Sequence, residues 1–307
     1  MIRPTVLRLI LPGLLLAAGV GAATAQLNED LLSLTDENLK AYVDPLQVAL
    51  SGTLNSAVFR TGYVPRGKFD IALGAAAMAV SFSDDDRSFR PVDPPGFSSL
   101  EPQDVPTIVG DLGGVIIPGE DGLAWAYPGG FDMEGFEIAA PQLSIGCVMG
   151  TRAIVRFIPP IDLGDSDLGE FEYFGVGGQH SISQYMPNLP IDLALGAFYQ
   201  DFKIGEDLLH VQSMQFNVTG SRQYGILQPY LGLGYDTLTL DAHAEDEDYP
   251  EDAIDVSLDR HSNVHFTAGL MARLSILGIY GEYNSGATSG FAVGFDLGTM
   301  GGAHHAR

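Results

Sequence analysis

Ten residues near the end of the chain, Thr288-Ser-Gly-Phe-Ala-Val-Gly-Phe-Asp-Leu297, set Phe291, Val293, Phe295 and Leu297 in strict alternation with Gly290, Ala292, Gly294 and Asp296. A strand points successive side chains to opposite faces, so this segment has one oily face and one small or polar face. Such a strand suits a bilayer if the oily face meets lipid and the other lines a lumen. The pattern recurs. Val264, Phe266, Ala268, Leu270, Ala272 and Leu274 alternate with His265, Thr267, Gly269, Met271 and Arg273, and Ile191, Leu193, Leu195, Ala197 and Tyr199 share one face of another run. A soluble sandwich also alternates, with its apolar face inward. Runs near the ten residues of a tilted crossing, abundant Gly and aromatics near strand ends favour the membrane form. Tyr173, Tyr199, Tyr230, Tyr235, Tyr280 and Tyr283 are the candidates for interfacial girdles.

The first 25 residues read as a secretory signal: Arg3 and Arg8, an apolar run from Leu9 to Val20, and Ala23-Thr24-Ala25 as a cleavage site before Gln26. Pro12, Gly13 and the shortness of the oily run argue against a membrane anchor. Beyond it no run of 18 or more apolar residues remains. Acidic residues outnumber basic ones 39 to 15, for a net charge of −24, which excludes nucleic acid as a partner. The scarcity of lysine (Lys40, Lys68 and Lys203) also suits a salty habitat in which self-repulsion is screened. The single cysteine, Cys147, can make neither an internal disulfide nor a thiolate metal site, and reads as a small hydrophobe on a strand's apolar face.

Residues 28–60 form the expected helical segment, with Leu39, Tyr42, Val43, Leu46, Leu50, Leu54 and Val58 as one apolar stripe. Thr35 is its candidate N-cap, and Pro45 kinks the helix or starts a second one. The segment is a plug in the barrel or a helix at its periplasmic mouth. Residues 67–298 carry ten expected strands: 67–83, 138–149, 151–159, 170–184, 191–203, 208–222, 226–241, 260–274, 276–284 and 288–298. An even count places both barrel ends on the periplasmic side. The long segment 84–135 and the acidic segment 243–252 then lie outside the cell. A hidden hairpin in 84–135 would raise the count to twelve. Residues 299–307 are a disordered tail. The fold class is an all-β, transmembrane, antiparallel up-and-down barrel of about 10–12 strands with an N-terminal amphipathic helix.

If Val155 and Phe157 face lipid, Arg152 and Arg156 face the lumen. The same parity turns Arg273, His265, Asp70, Asp192 and Asp296 inward. Of these, Arg152, Arg156, Arg273, His265 and Asp192 are the candidate lumen-lining ligand residues. Their plainer role is a mutually neutralising network that fills a small barrel. Asp84-Asp85-Asp86 and the run Glu245–Asp248 with Glu251, Asp252 and Asp255 could hold Ca²⁺, but lack the EF-hand pattern and read more simply as solvated loops. His180-Ser181 points to opposite faces of one strand and makes no catalytic pair, and no Gly-x-Ser-x-Gly elbow exists. Gly175-Val-Gly177-Gly178 has no following helix and is no nucleotide loop. No metal, no cofactor and no enzymatic activity are expected.

The segments Tyr42-Val-Asp-Pro-Leu46, Leu54-Asn-Ser56, Arg156-Phe-Ile-Pro159, Phe174-Gly-Val-Gly-Gly-Gln-His-Ser-Ile-Ser-Gln-Tyr-Met-Pro187 and Leu227-Gln-Pro-Tyr-Leu-Gly-Leu-Gly-Tyr235 resemble an uncharacterised family of bacterial outer-membrane barrel proteins, a domain of unknown function. The resemblance covers most of the chain after the signal. It implies a barrel with an N-terminal helical segment and supplies no activity. More distantly, the arrangement is similar to that of long-chain fatty-acid transport porins, whose N-terminal segment plugs the barrel. The chain departs from the usual barrel ending, because twelve residues follow Phe295. The expected location is the bacterial outer membrane, with membrane lipid and the barrel-assembly machinery as partners. Barrels of about eight strands are filled and those of about sixteen are open, so ten to twelve imply a narrow or plugged passive channel for a small solute, hydrophobic solutes included. The alternatives are a structural or surface-interaction barrel with a closed lumen and, third, an outer-membrane lipid hydrolase.

Overall fold

The computed structural model of the chain describes residues 34–162, 170–186, 188–205, 209–244, 254–258 and 261–299. The signal segment with Ala25 and Gln26, the run Glu245–Asp252 and the tail beyond Thr299 lie outside the described residues, as do the side chains of Cys147 and Asp255. Ten long strands form the wall: β1 (Asp70–Ser81), β2 (Gly135–Cys147), β3 (Thr151–Asp162), β4 (Glu170–Ser181), β5 (Asp192–Ile204), β6 (Leu209–Ser221), β7 (Leu227–Ala244), β8 (His261–Leu274), β9 (Leu277–Ser285) and β10 (Ser289–Gly298). Each pairs antiparallel with its sequence neighbours, and β1 pairs with β10 to close the ring. Among the described residues the closed wall has these ten long strands, and the short strand Ile254–Ser257 pairs with the far end of β7, from Asp241↔Ser257 to Ala244↔Ile254. Residues 82–134 contribute two small hairpins, Ser88–Phe89 with Val105–Pro106 and Val115–Pro118 with Ala124–Tyr127, which stand apart from it.

Alternation decides which way each side chain points. On β10 Phe291, Val293, Phe295 and Leu297 are exposed outward, while Ala292 and Asp296 are buried inside. On β8 Val264, Phe266 and Leu270 are exposed, and His265, Thr267 and Met271 buried. The oily face is therefore the outer face, the reverse of a water-soluble barrel. On β7 the exposed apolar series runs Leu227, Leu231, Leu233, Tyr235 and then gives way to Thr237, Thr239 and Asp241. From Leu227 to Tyr235 is about the nine residues of one tilted crossing. Beyond that belt β7 continues, and its inward Leu238 and Leu240 are fully buried in an apolar core above the belt.

The two mouths differ. Tight turns close one: Val148–Gly150, with Met149 and Gly150 at positive φ, and Ser275, also at positive φ. The segment 82–134 covers the other as a dome. Three of the tyrosines expected in girdles are inside: Tyr173, Tyr230 and Tyr280 are 0%, 1% and 3% exposed. Each neighbours an outward residue (Phe174, Leu231, Ile279), so strand parity turns it inward. Tyr235 and Tyr283 do face outward. Met149, the last residue of the expected strand 138–149, instead occupies the β2–β3 turn.

The helix α1 spans Asp36–Leu54, ending before the expected limit at residue 60 (residues 28–33 of the expected segment lie outside the described residues), and Pro45 lies inside it. Proline has no N–H for the carbonyl four residues earlier and crowds that turn. The adjacent Tyr42 carbonyl accepts the Ile108 N–H from the dome at 3.0 Å. Thr35 occupies the N-cap position with extended backbone but makes no side-chain cap bond. A capping Thr is worth about 1 kcal/mol. Thr35→Ala is therefore expected to stay within about 0.5 kcal/mol of the parent in urea unfolding, the range of a surface substitution.

Candidate functional site: the occupied lumen

The N-terminal segment runs through the barrel from the dome to the turn-bearing mouth. At the dome, Asn38 exchanges two 2.8 Å hydrogen bonds with the backbone of Val92, and the Tyr42 hydroxyl donates to the Gly129 carbonyl at 2.8 Å. Leu39, Val43, Leu50 and Leu54 pack into the core that includes Ile138, Ile158, Phe171, Leu238 and Leu240. The helix is thus neither free in the lumen nor at the turn-bearing mouth; its first turns are built into the dome. Arg87 ties the dome together. It donates to the Met133 carbonyl at 2.9 Å and pairs with Asp132 and Asp111, and the hydrogen bonds to Asp132 and Asp111 hold its pKa above the usual value.

Below Leu54 the chain leaves the helix, with Ala57 at positive φ, and every step is held by the wall. The Asn55 side chain donates to Ser213 Oγ at 3.2 Å and accepts from Gln200 at 2.9 Å, while its carbonyl accepts from Gln215 at 2.8 Å. Arg156 donates to the carbonyls of Leu54 and Ser56 at 3.0 and 2.6 Å. The Ala57 N–H donates to Glu282 at 2.6 Å, and Glu282 also accepts from the Tyr230 hydroxyl at 2.7 Å. Arg60 lies over the Tyr280 ring at 4.1 Å and 3.8 Å from Asp296. Thr61 accepts from Gln179 on its carbonyl and from Gln228 on its hydroxyl, at 2.8 and 2.7 Å. Gly62 completes the passage. A Cβ there would sit 2.2 Å from the Asp192 carbonyl oxygen, so only glycine passes this point.

All five candidate lumen residues stand on the inner wall. Arg156 is fully buried, and Arg152 is 1% exposed, its guanidinium 2.9 Å from Asp70 and 3.2 Å from Gln179. Arg273 donates to Asp296 at 3.2 Å. His265 Nδ1 is 2.5 Å from Asp236. Asp192 is 2% exposed beside the plug's exit. Sequence parity missed the neutral side chains that grip the plug, Gln179, Gln200, Gln215 and Gln228. A row of glutamines at inward positions was the available signal. Among the described residues no cluster of three His, Cys, Asp or Glu side chains could hold a metal. The Asp86 carboxylate is used locally, accepting from the Ser83 N–H at 2.7 Å.

The His180 block holds the same exit from both faces. Inward, Gln179 binds Thr61. Outward, His180 contacts Thr151 at 2.8 Å and Tyr185 at 3.0 Å, and Gln184 donates to the Met149 carbonyl at 3.0 Å. Ser181 points inward to Ser183, away from His180.

An outward oily belt, an inward polar wall and antiparallel closure of ten strands define an outer-membrane-type β-barrel. The chain belongs to a family of unknown function (DUF6588), whose model matches residues 5–299. No curated protein matches the chain in sequence. Among solved barrels it is similar to OmpT of Vibrio cholerae lacking loop L8, at 12% identity over 76% of this chain and 100% of that one, with a TM-score of 0.27. It is similar also to the outer-membrane protease OmpT of Escherichia coli, at 11% identity over 75% and 93% with a TM-score of 0.26. The toluene transporter TbuX of Ralstonia pickettii matches at 11% over 78% and 90%, with a TM-score of 0.25. At these scores the likenesses carry no argument about activity.

Proposed function

We propose that the protein is a passive outer-membrane conduit for a small solute, closed at rest by residues 34–66. Assembly machinery would insert the barrel, with the tight turns in the periplasm and the dome at the cell surface. One observation supports this most: the wall behind the lower plug is polar and mostly neutral. Gln179, Gln200, Ser213, Gln215, Thr219 and Gln228 are all buried against the plug or beside it. A neutral hydrogen bond contributes about 0.5–1.5 kcal/mol net, because water replaces it when it opens. If the plug withdraws, these groups line a surface that water wets. The upper lumen is apolar, so the passage suits a solute with both characters.

A non-enzymatic role is part of this reading. His180 and Ser181 point apart, and His265, paired with Asp236, meets Gln215 at 3.4 Å. The structural-barrel reading is favoured by one observation of its own, the grip of Arg156 on two plug carbonyls, which makes the plug part of the core.

A reversible clamp separates the two. Thr61 Oγ1 and Ser221 Oγ lie 3.4 Å apart, so the Thr61→Cys/Ser221→Cys pair, in a Cys147→Ser background, is placed to form a disulfide between plug and wall. In planar bilayers the reduced protein is expected to show intermittent conductance that oxidation abolishes and reduction restores. Silence in both states, with the barrel folded, would leave the closed structural barrel as the function.

A further inference from the structure

The ring of strands is not evenly laced. The β1–β2 ladder has twelve rungs, from Asp70↔Gly146 to Ser81↔Gly135. The β2–β3 ladder has six and stops at Gln142↔Arg156. Above that rung Gly135–Pro141 and residues 157–162 face each other as two edges with no rungs between them, although β2 stays paired to β1 and β3 to β4. Three prolines lie on these edges, Pro141 on one and Pro159-Pro160 on the other. Each removes a backbone donor, which is how an edge tolerates a missing partner. At Pro159-Pro160 the β3–β4 register also shifts, between Ile158 and Ile161, and such a bulge bends a strand out of line.

Outward, Pro141, Pro159 and the 48%-exposed Phe157 mark the dome-side edge of the oily belt, with exposed Glu137 just above. Inward, Ile138, Ala140 and Ile158 are buried in the core that holds Leu54 of α1. At the foot of the gap Arg156 Nε donates to Gln142 Oε1 at 2.9 Å, stapling the last rung. Gln142 is 3% exposed, yet its Nε2 has no hydrogen-bond partner. A buried amide N–H without a partner carries a free-energy cost that an acceptor oxygen would relieve.

We propose that the gap between β2 and β3 is a lateral portal from the bilayer into the upper lumen. Its ligand is an uncharged, largely apolar molecule bearing one acceptor oxygen, such as a long-chain alcohol, whose oxygen takes the Gln142 Nε2 donor. Glu137 at the rim disfavours an anionic headgroup. This deepens the conduit reading and rests on its premise that the barrel sits in a bilayer.

The test is photolabelling of the full chain after the signal, refolded in phospholipid vesicles holding a diazirine-bearing long-chain alcohol or the matching diazirine alkane. The alcohol is expected to label Ile138, Ile158 or Leu54 in addition to outward Phe157 and Phe174. Gln142→Leu should lower inner labelling by the alcohol to the level of the alkane. Replacing Pro141, Pro159 and Pro160 together by Val, which restores the three donors, should abolish inner labelling and spare the outward sites. Labels confined to outward residues in the parent, or inner labelling unchanged by Gln142→Leu, would overturn the portal; the latter comparison stands even if the triple variant does not fold. Inner labelling with a conductance insensitive to the Thr61–Ser221 clamp would uphold the portal and sink the conduit. Clamp-sensitive conductance without inner labels would do the reverse.

Discussion

Arg156→Met is expected to destabilise the folded protein by about 2–6 kcal/mol, the cost of leaving two buried plug carbonyls without partners. The size follows from what the guanidinium holds. It is fully buried, donates to Gln142 on the wall and to the Leu54 and Ser56 carbonyls of the plug, and lies 5.8 Å from the Phe198 ring centroid. Met keeps much of the volume and none of the donors, so two plug carbonyls are left buried without partners, each costing about 1–3 kcal/mol. The barrel ladders are untouched. The loss should therefore appear first as faster proteolysis of residues 34–66 in a barrel that still resists SDS, and second as a lower urea midpoint. Arg156→Lys keeps a charge, but its single ammonium nitrogen lacks the guanidinium fork that reaches three separate acceptors, and it should fall between Arg and Met. If Arg156→Met unfolds at the parent's midpoint with the plug still protected, the neutral glutamines alone hold the lumen closed.

The parts of this architecture legible in the sequence are those that depend on period two. Val264–Leu274 and Thr288–Leu297 announced strands, and their parity placed Arg152, Arg156, Arg273, His265 and Asp192 on the inner wall. The same rule, applied from Phe174, Leu231 and Ile279, would have turned Tyr173, Tyr230 and Tyr280 inward; a preference for aromatics at interfaces overrode it. The plug was harder. Residues 55–66 have no periodicity, and their partners lie 100 or more positions away: Arg156 for Ser56, Glu282 for Ala57, Gln228 for Thr61. No local pattern encodes such contacts. Pro141 and Pro159-Pro160 were visible as residues that weaken a ladder. That they meet across one gap is set by register, which only the closed ring determines.

Val293→Arg is expected to cost about 2–4 kcal/mol when the protein unfolds from vesicles, the penalty for Arg on the lipid face at mid-depth. Val293 is 59% exposed at the middle of β10, opposite Ala77 on β1 and Gly281 on β9, and the only large neighbours of its outward side chain on β10 are Phe291 and Phe295. In a water-soluble barrel the same exposed position would tolerate Arg within about 0.5 kcal/mol, because no buried contact is lost and the charge stays hydrated. Ser289→Arg, on the same strand at the dome-side end of the belt, supplies the comparison: near the interface the penalty falls to about 0–1 kcal/mol. The gradient between these two positions, measured by urea unfolding in vesicles, reports what the outer face touches without assuming any transported solute. A steep gradient places the belt in hydrocarbon, where the missing β2–β3 rungs become an opening toward lipid. A flat one places it in water, and the plug, the polar wall and the gap would then belong to a protein that never crosses a membrane.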